Sequence, residues 1–170
     1  MKLDKNAIAT SIEQYDTIKS LGIPDETADM KYMTVYDEFD EEPHMELVPE
    51  SFIQLYDDER PSKEIPAWSL TKMMDILPNT IAYASDPSNP KGRYDVHLHK
   101  YQFVDNVTMH QISYGNCFTT SGSWKPIVTS PERENMIDCI IAMLQWIKDN
   151  DFIDYYAYKN RTKRQTESQI

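Results

Sequence analysis

Apolar residues recur at intervals of three near the start of the chain, at Ile12, Tyr15, Ile18 and Leu21. This spacing places them on one face of a helix. Two overlapping capping boxes precede the stripe, Thr10 with Glu13 and Ser11 with Gln14, in which side chains satisfy backbone N–H groups of the first turn. Gly22 can adopt the left-handed conformation that closes a helix. The pattern predicts a first helix that ends near Gly22.

A second, shorter helix is predicted after the segment Ile65-Pro66-Ala67-Trp68-Ser69-Leu70. Ser69 is a suitable N-cap, and Trp68 before it is placed to pack on Met73. The apolar residues that follow have helical spacing, at Leu70, Met73, Met74 and Leu77. Pro78 ends the helix after about two turns. So short a helix is stable only when it is packed against a core.

The longest apolar stripe lies near the end of the chain, at Met136, Ile137, Ile140, Ile141, Leu144 and Ile147. Ser130 is the predicted N-cap of this helix, with Pro131 in its first turn. Glu132 and Glu134 suit the positive end of the helix. We expect a core formed by side chains of the two later helices, together with the tryptophan that precedes the shorter one: Trp68, Leu70, Met74, Ile137, Ile140, Ile141 and Leu144.

Alternating and β-branched residues predict strands over 31–39, 80–84, 93–103 and 107–114, the last two joined by a hairpin turn at 104–106. Residues 47–56 are interrupted by Pro49 and fit either a strand or a short helix. Consecutive strands joined by short turns favour antiparallel pairing. The sequence therefore predicts an α+β fold: a single domain over residues 1–158, with an antiparallel sheet of about four strands packed against helices, and a flexible polar tail over 159–170.

The chain is acidic, with 28 Asp and Glu against 17 Lys and Arg and a formal net charge of −11. This charge disfavours direct binding to nucleic acid or to an anionic membrane, which requires a positive surface. We find no apolar run that could span a bilayer and no signal-peptide core, so a soluble cytoplasmic protein is expected. Two cysteines set no disulfide framework: Cys139 is expected to be a buried thiol, and Cys117 is expected in a loop.

Three histidines form a candidate metal site, because imidazoles on neighbouring strands can share one face of a sheet. His97 and His99 lie two residues apart on one predicted strand, and His110 lies on the next. A two-residue turn at Asp105-Asn106 would pair His99 with Ile112 and bring His110 to the same face. A turn one residue longer would move His110 to the other face. The alternative interpretation is a set of polar histidines on a half-exposed sheet.

No catalytic residue and no cofactor site is predicted. The chain has 4 glycines, no phosphate-binding glycine loop, and no nucleophile elbow around Ser121-Gly122-Ser123. Carboxylates cluster at 37–42 and at 57–59. Solvated charge accounts for both clusters, and the alternative is a surface that imitates the phosphates of DNA and inhibits a DNA-binding protein.

Two groups of motifs carry a family resemblance. They resemble segments of a family of small uncharacterised proteins from Bacteroides-group bacteria and from their phages and mobile elements. The first group is Thr10-Ser11-Ile12-Glu13-Gln14 with Glu26-Thr27-Ala28-Asp29-Met30, and the second is the later segment Ile65 to Leu70. The resemblance covers roughly residues 10–153. It implies that the protein belongs to a phage or mobile element, but it implies no biochemical activity. We therefore expect a non-enzymatic accessory protein whose partner is another protein. The alternatives are a metal-dependent hydrolase that uses His97, His99 and His110, and the acidic DNA mimic.

Overall fold

A computed structural model describes residues 8–35, 43–52, 63–82, 93–102, 107–117 and 124–150. In chain order its elements are α1 (Ile12–Ser20), a 3₁₀ turn (Asp25–Thr27), β1 (Met30–Val35), β2 (His44–Pro49), β3 (Glu64–Ala67), α2 (Leu70–Ile76), β4 (Thr80–Ala82), β5 (Arg93–Gln102), β6 (Thr108–Cys117), β7 (Trp124–Thr129) and α3 (Met136–Asp149). The predicted tail at 159–170 and the acidic clusters at 37–42 and 57–59 lie outside the described residues.

The strands form two antiparallel sheets, and the α+β class is confirmed. One sheet has four strands in the order β4-β5-β6-β7, and the other has three in the order β2-β1-β3. One sheet of about four strands was predicted; three of its strands, 80–84, 93–103 and 107–114, correspond to β4, β5 and β6, whereas the strand at 31–39 lies in the other sheet and β7 was not predicted. In the smaller sheet only β1 was predicted outright. Of the ambiguous segment 47–56, residues 47–49 belong to β2, and Pro49 is its last residue.

Helix α1 begins as predicted, using the second of the two capping boxes. The backbone N–H of Ser11 donates to Gln14 Oε1 at 2.8 Å. The same Gln14 side chain donates through Nε2 to Asp138 Oδ1 on α3 at 2.5 Å, so it ties the first helix to the last. Gly22 follows the helix with a φ of 84°, a left-handed conformation that glycine adopts without steric cost.

Helix α2 is capped by Ser69 as predicted, because Ser69 Oγ accepts from the backbone N–H of Lys72 at 3.1 Å. The hydroxyl of Ser69 in turn donates to Asp29 Oδ2 at 2.6 Å. The buried face of α2 differs from the prediction by one position. Met73 is fully buried, whereas Met74 is half-buried. Leu70 is also half-buried, and both side chains pack against the edge of the core.

The N-cap of helix α3 lies five residues later than predicted, so the assignment of Ser130 as N-cap is wrong. Asn135 caps the helix, and its Oδ1 accepts from the N–H of Ile137 at 2.9 Å. Ser130 instead continues the edge pairing of β6, where its hydroxyl accepts from the N–H of Ile112 at 3.0 Å. A serine hydroxyl can satisfy a strand N–H as well as a helix N–H, so the local sequence did not distinguish the two uses.

The core lies between the helices and the four-stranded sheet. Its buried members from the sheet are Ile81, Tyr94, Ile112 and Tyr114, and those from α3 are Cys139, Ile140, Met143, Leu144 and Ile147. Trp68, which is fully buried, joins the same cluster. The expected burial is confirmed for Trp68, Ile137, Ile140 and Leu144, while Ile141 is half-buried.

A buried polar network surrounds Trp68. The backbone of Trp68 donates to Thr10 Oγ1 at 3.0 Å, and the backbone N–H of Thr10 donates back to the carbonyl of Trp68 at 2.9 Å. The hydroxyl of Tyr32 donates to the carbonyl of Thr10 at 3.1 Å. Thr10 has no solvent exposure, so these bonds satisfy groups that would otherwise be costly to bury. The resembled motifs therefore meet in one structural network.

Candidate functional site

The three histidines of the predicted metal site lie on β5 and β6, but the predicted register is wrong by one residue. His99 pairs with Gln111, and His110 pairs with Lys100. Between the paired residues Gln102 and Thr108 lie five residues, whereas a two-residue turn requires an even number. Because a slip of one residue turns a side chain to the opposite face, His110 lies on the face opposite His97 and His99.

His97 and His99 instead form a row of stacked rings with Tyr101 along β5. The ring centroids of His97 and His99 are 6.3 Å apart, and those of His99 and Tyr101 are 6.0 Å apart with planes within 10°. His99 Nε2 lies 2.9 Å from the hydroxyl of Ser113. His97 and Tyr101 are exposed and His99 is half-buried, so the row lies on a solvent-accessible face of the sheet.

His110 takes part in strand pairing and is partly buried. Its backbone exchanges two hydrogen bonds with Arg133, at 2.7 and 3.0 Å. The Nδ1 atom is buried without a hydrogen-bond partner among the described residues. Burial, and secondarily the charge of Lys100, lower the pKa of His110, which favours a neutral ring. Across the described ranges, no group of three or more His, Cys, Asp or Glu side chains is arranged to hold a metal ion.

Cys139 is a buried thiol, as expected. It has no exposure, and its Sγ donates to the carbonyl of His110 at 3.1 Å. Burial raises the pKa of the Cys139 thiol, and the thiolate is the nucleophilic form. Cys139 is therefore suited to packing and not to attack. Cys117 was expected in a loop but is the last residue of β6.

Strand β5 of the four-stranded sheet is paired along only part of the side that faces β4. On this side of β5, β4 pairs with only three residues, Arg93 to Asp95. One further bond joins the N–H of Val96 to the carbonyl of Asn79 at 3.0 Å. Continuing the register would place Leu77 beside Leu98, but Leu77 is the C-cap of α2, and its N–H donates to the carbonyl of Met73. The chain leaves the sheet at this point.

The backbone of Leu98 and Lys100 is consequently directed outward. In an antiparallel strand, successive N–H groups point alternately to the two neighbours. Because the N–H of Val96 points toward β4, those of Leu98 and Lys100 point to the same side, away from β6. Within the described residues these two N–H groups have no partner. We call this stretch, Leu98 to Lys100, the open edge.

The opposite edge of the hairpin provides a contrast. The N–H of Ile112 donates to Ser130 Oγ, and the N–H of His110 donates to the carbonyl of Arg133, so the segment after β7 continues to satisfy β6. At the open edge, Leu98 is 45% exposed and Lys100 is exposed. An apolar side chain next to unpaired strand groups is a surface on which another strand can add.

Sequence reasoning did not identify the open edge, although one signal was present. The predicted stop at Leu77-Pro78, followed by a strand that begins at Thr80, shows that the strand is approached from a helix. So short a strand, placed directly after a helix, can pair with only part of a ten-residue neighbouring strand. Which neighbour it pairs with was not visible in the sequence.

Comparison with known proteins finds no matching family model, no matching curated protein and no matching solved structure. The family resemblance drawn from the motifs therefore stays a prediction. None of the helices among the described residues is long and apolar enough to cross a membrane.

Proposed function

We propose that this protein is a non-enzymatic protein-binding module that takes up an extended segment of a partner protein along the open edge. The observation that carries this proposal is the outward direction of the Leu98 and Lys100 backbone, with no partner strand among the described residues. Main-chain hydrogen bonds supply affinity in this mode of recognition, and alternating side chains supply specificity.

The side chains at the open edge suit such a partner. An added strand would place alternate side chains on the two faces of the sheet. On the helix-covered face they would meet Leu98, which is exposed although its cross-strand neighbour Ile112 is fully buried. On the other face they would meet the row of His97, His99 and Tyr101. Lys100 lies two residues after Leu98 and therefore on the same face, so one set of the partner's alternate side chains would meet Leu98 and Lys100, and the other set would meet the histidine and tyrosine rings.

The test uses a backbone substitution that spares the rest of the sheet. Lys100→Pro removes the outward N–H without removing a bond to β6, and edge strands accept proline. Lys100→Thr is the matched control, because it removes the same side chain and keeps the N–H. Peptides selected from a random library displayed on phage against the wild-type protein are measured by fluorescence anisotropy against both variants.

We expect Lys100→Pro to weaken binding of the selected peptides by about 10-fold or more, the loss of one or two strand hydrogen bonds, and Lys100→Thr to weaken it by less than about 5-fold. Circular dichroism checks that both variants fold. Amide hydrogen exchange on the wild type gives a second measurement, in which the peptide should protect Leu98 and Lys100. Equal binding to both variants, with no such protection, would overturn the proposal. So would a dimer of this chain that Lys100→Pro dissociates, because a second copy would then fill the edge.

A further inference from the structure

The charges around the open edge differ from those of the chain as a whole. The chain carries a net charge of −11, yet β5 has no carboxylate after Asp95. Strand β6, which is the other neighbour of this stretch, has no Asp or Glu. The fully charged side chain at the open edge is Lys100, and His97 and His99 flank Leu98 on β5. This stretch is a non-acidic strip on an acidic protein.

The helix that precedes β4 does not change this balance. Helix α2, which precedes β4 along the chain, carries one residue of each sign, Lys72 and Asp75. Asp95 lies on the part of β5 that pairs with Thr80, so it is at the covered end of the strand. A partner strand along Leu98 to Lys100 would therefore meet Lys100 without a carboxylate from β5 or β6 to compensate it.

From this distribution we infer that the segment taken up at the open edge is acidic: an extended peptide whose alternate carboxylates lie on the face of Lys100 and whose intervening apolar residues lie on the face of His99 and Tyr101. The inference rests on the proposed function, since it names the chemistry of the same partner. Opposite charges that face each other across strands stabilise pairing, and like charges destabilise it. A basic segment would be repelled by the charge of Lys100, whereas an acidic segment could form an ion pair with it. The overall negative charge of the protein repels an acidic peptide at long range, so the preference must come from short-range contacts at this strip and be visible once that repulsion is screened.

Three ten-residue peptides test the inference. They share valine at every second position and carry Glu, Ser or Lys at the others. Their dissociation constants are measured by fluorescence anisotropy at about 0.15 M salt, where the screening length is about 8 Å. The proteins are the wild type, Lys100→Thr, Lys100→Glu and Lys100→Pro.

We expect the Glu peptide to bind the wild type about 5- to 10-fold more tightly than the Lys peptide, with the Ser peptide between them. Lys100→Thr should reduce this preference, and Lys100→Glu should reverse it. Wild-type binding of the Ser or Lys peptide as tight as that of the Glu peptide would overturn the acidic partner.

Failure of the proposed function looks different. If none of the three peptides binds the wild type, or if Lys100→Pro leaves their binding unchanged, the open edge does not take up a strand, and both proposals fall together. If Lys100→Pro removes binding of all three peptides while the charge on the peptide has no effect, strand addition stands and the acidic partner alone is excluded.

Discussion

The indole N–H of Trp68 donates to the hydroxyl of Thr27 at 2.9 Å, and both groups are buried. The Thr27 hydroxyl in turn donates a hydrogen bond to the carbonyl of Pro24 at 2.8 Å. The contact connects the 3₁₀ turn after α1 with the segment that enters α2, 41 residues later. It also gives the largest side chain of the core a defined orientation.

Replacing Thr27 with valine should lower the free energy of unfolding by about 1–3 kcal/mol, because it leaves the buried indole N–H without an acceptor. The volume of the side chain hardly changes, so loss of packing contributes little. Urea unfolding of Thr27→Val measures the effect. In the Trp68→Phe background the same substitution should cost less, because no indole donor is left. An equal cost in both backgrounds would show that the bond contributes nothing.

Ile140→Ala should lower the free energy of unfolding by about 2–5 kcal/mol, from lost burial and the cavity left behind. Ile140 has no exposure and lies in the core cluster. Ile141→Ala is the matched control: it makes the same change one position along α3, at a half-buried side chain, and should cost less. A urea-melt difference for Ile140→Ala below about 0.5 kcal/mol would contradict its place in the core.

Stability should fall in alkaline solution. Burial raises the pKa of Tyr114, whose hydroxyl donates to the carbonyl of Pro78 at 2.5 Å. The neutral phenol is favoured in the folded state, so this contribution is complete below the ordinary tyrosine pKa of about 10 and is lost as the pH rises above it. Burial also raises the pKa of Tyr32 and Cys139, with the same sign.

Tyr114→Phe should therefore show a shallower loss of unfolding free energy above about pH 10 than the wild type, by up to about 1.4 kcal/mol per pH unit. Urea melts at intervals between about pH 8 and pH 11.5 give the slopes. The variant should also be less stable near neutral pH, because it lacks the bond to Pro78. Parallel alkaline slopes for variant and wild type would rule out Tyr114 as a contributor.

Engineered disulfides test the register of β5 and β6. Lys100 and His110 are paired residues that do not exchange ladder hydrogen bonds, a geometry with Cα atoms about 4.5 Å apart and within the range a disulfide spans. Lys100→Cys with His110→Cys, in a background with Cys117→Ala and Cys139→Ala, should form a cross-link on mild oxidation, and removal of Cys139 is needed because its Sγ lies 3.1 Å from the carbonyl of His110. Tyr101→Cys with His110→Cys represents the register expected from a two-residue turn and should not. Mass spectrometry of the oxidised proteins distinguishes them, and cross-linking of the second pair alone would restore His110 to the face of His97 and His99.

Features set by neighbouring residues were predictable from the sequence. Ser69 caps α2 and Gln14 closes the capping box of α1 because both interactions lie within three or four residues. The apolar period of α3 likewise predicted that Ile140 and Leu144 are buried. These predictions depend on local geometry, which the rest of the fold does not alter.

Features set by distant contacts were not predictable. Ser130 is a residue type that suits a helix N-cap, but its hydroxyl accepts a hydrogen bond from the N–H of Ile112 on β6. The register of the hairpin depends on the length of its turn, and a difference of one residue separated His110 from the candidate metal site. The open edge required knowledge that β4 pairs with only three residues of β5 and that Leu77, before β4, is the C-cap of α2, which no periodicity in the sequence contains.

The bond between Gln14 on α1 and Asp138 on α3 joins residues 124 positions apart. On the ribosome, α1 emerges long before its partner exists. At synthesis rates of about 5–20 residues per second, it waits roughly 6–25 s for α3. A nine-residue helix is marginal in water on its own. The contacts of α1 with β3 and Trp68 can therefore form early in the nascent chain, whereas its tie to α3 forms only after Asp138 has been made.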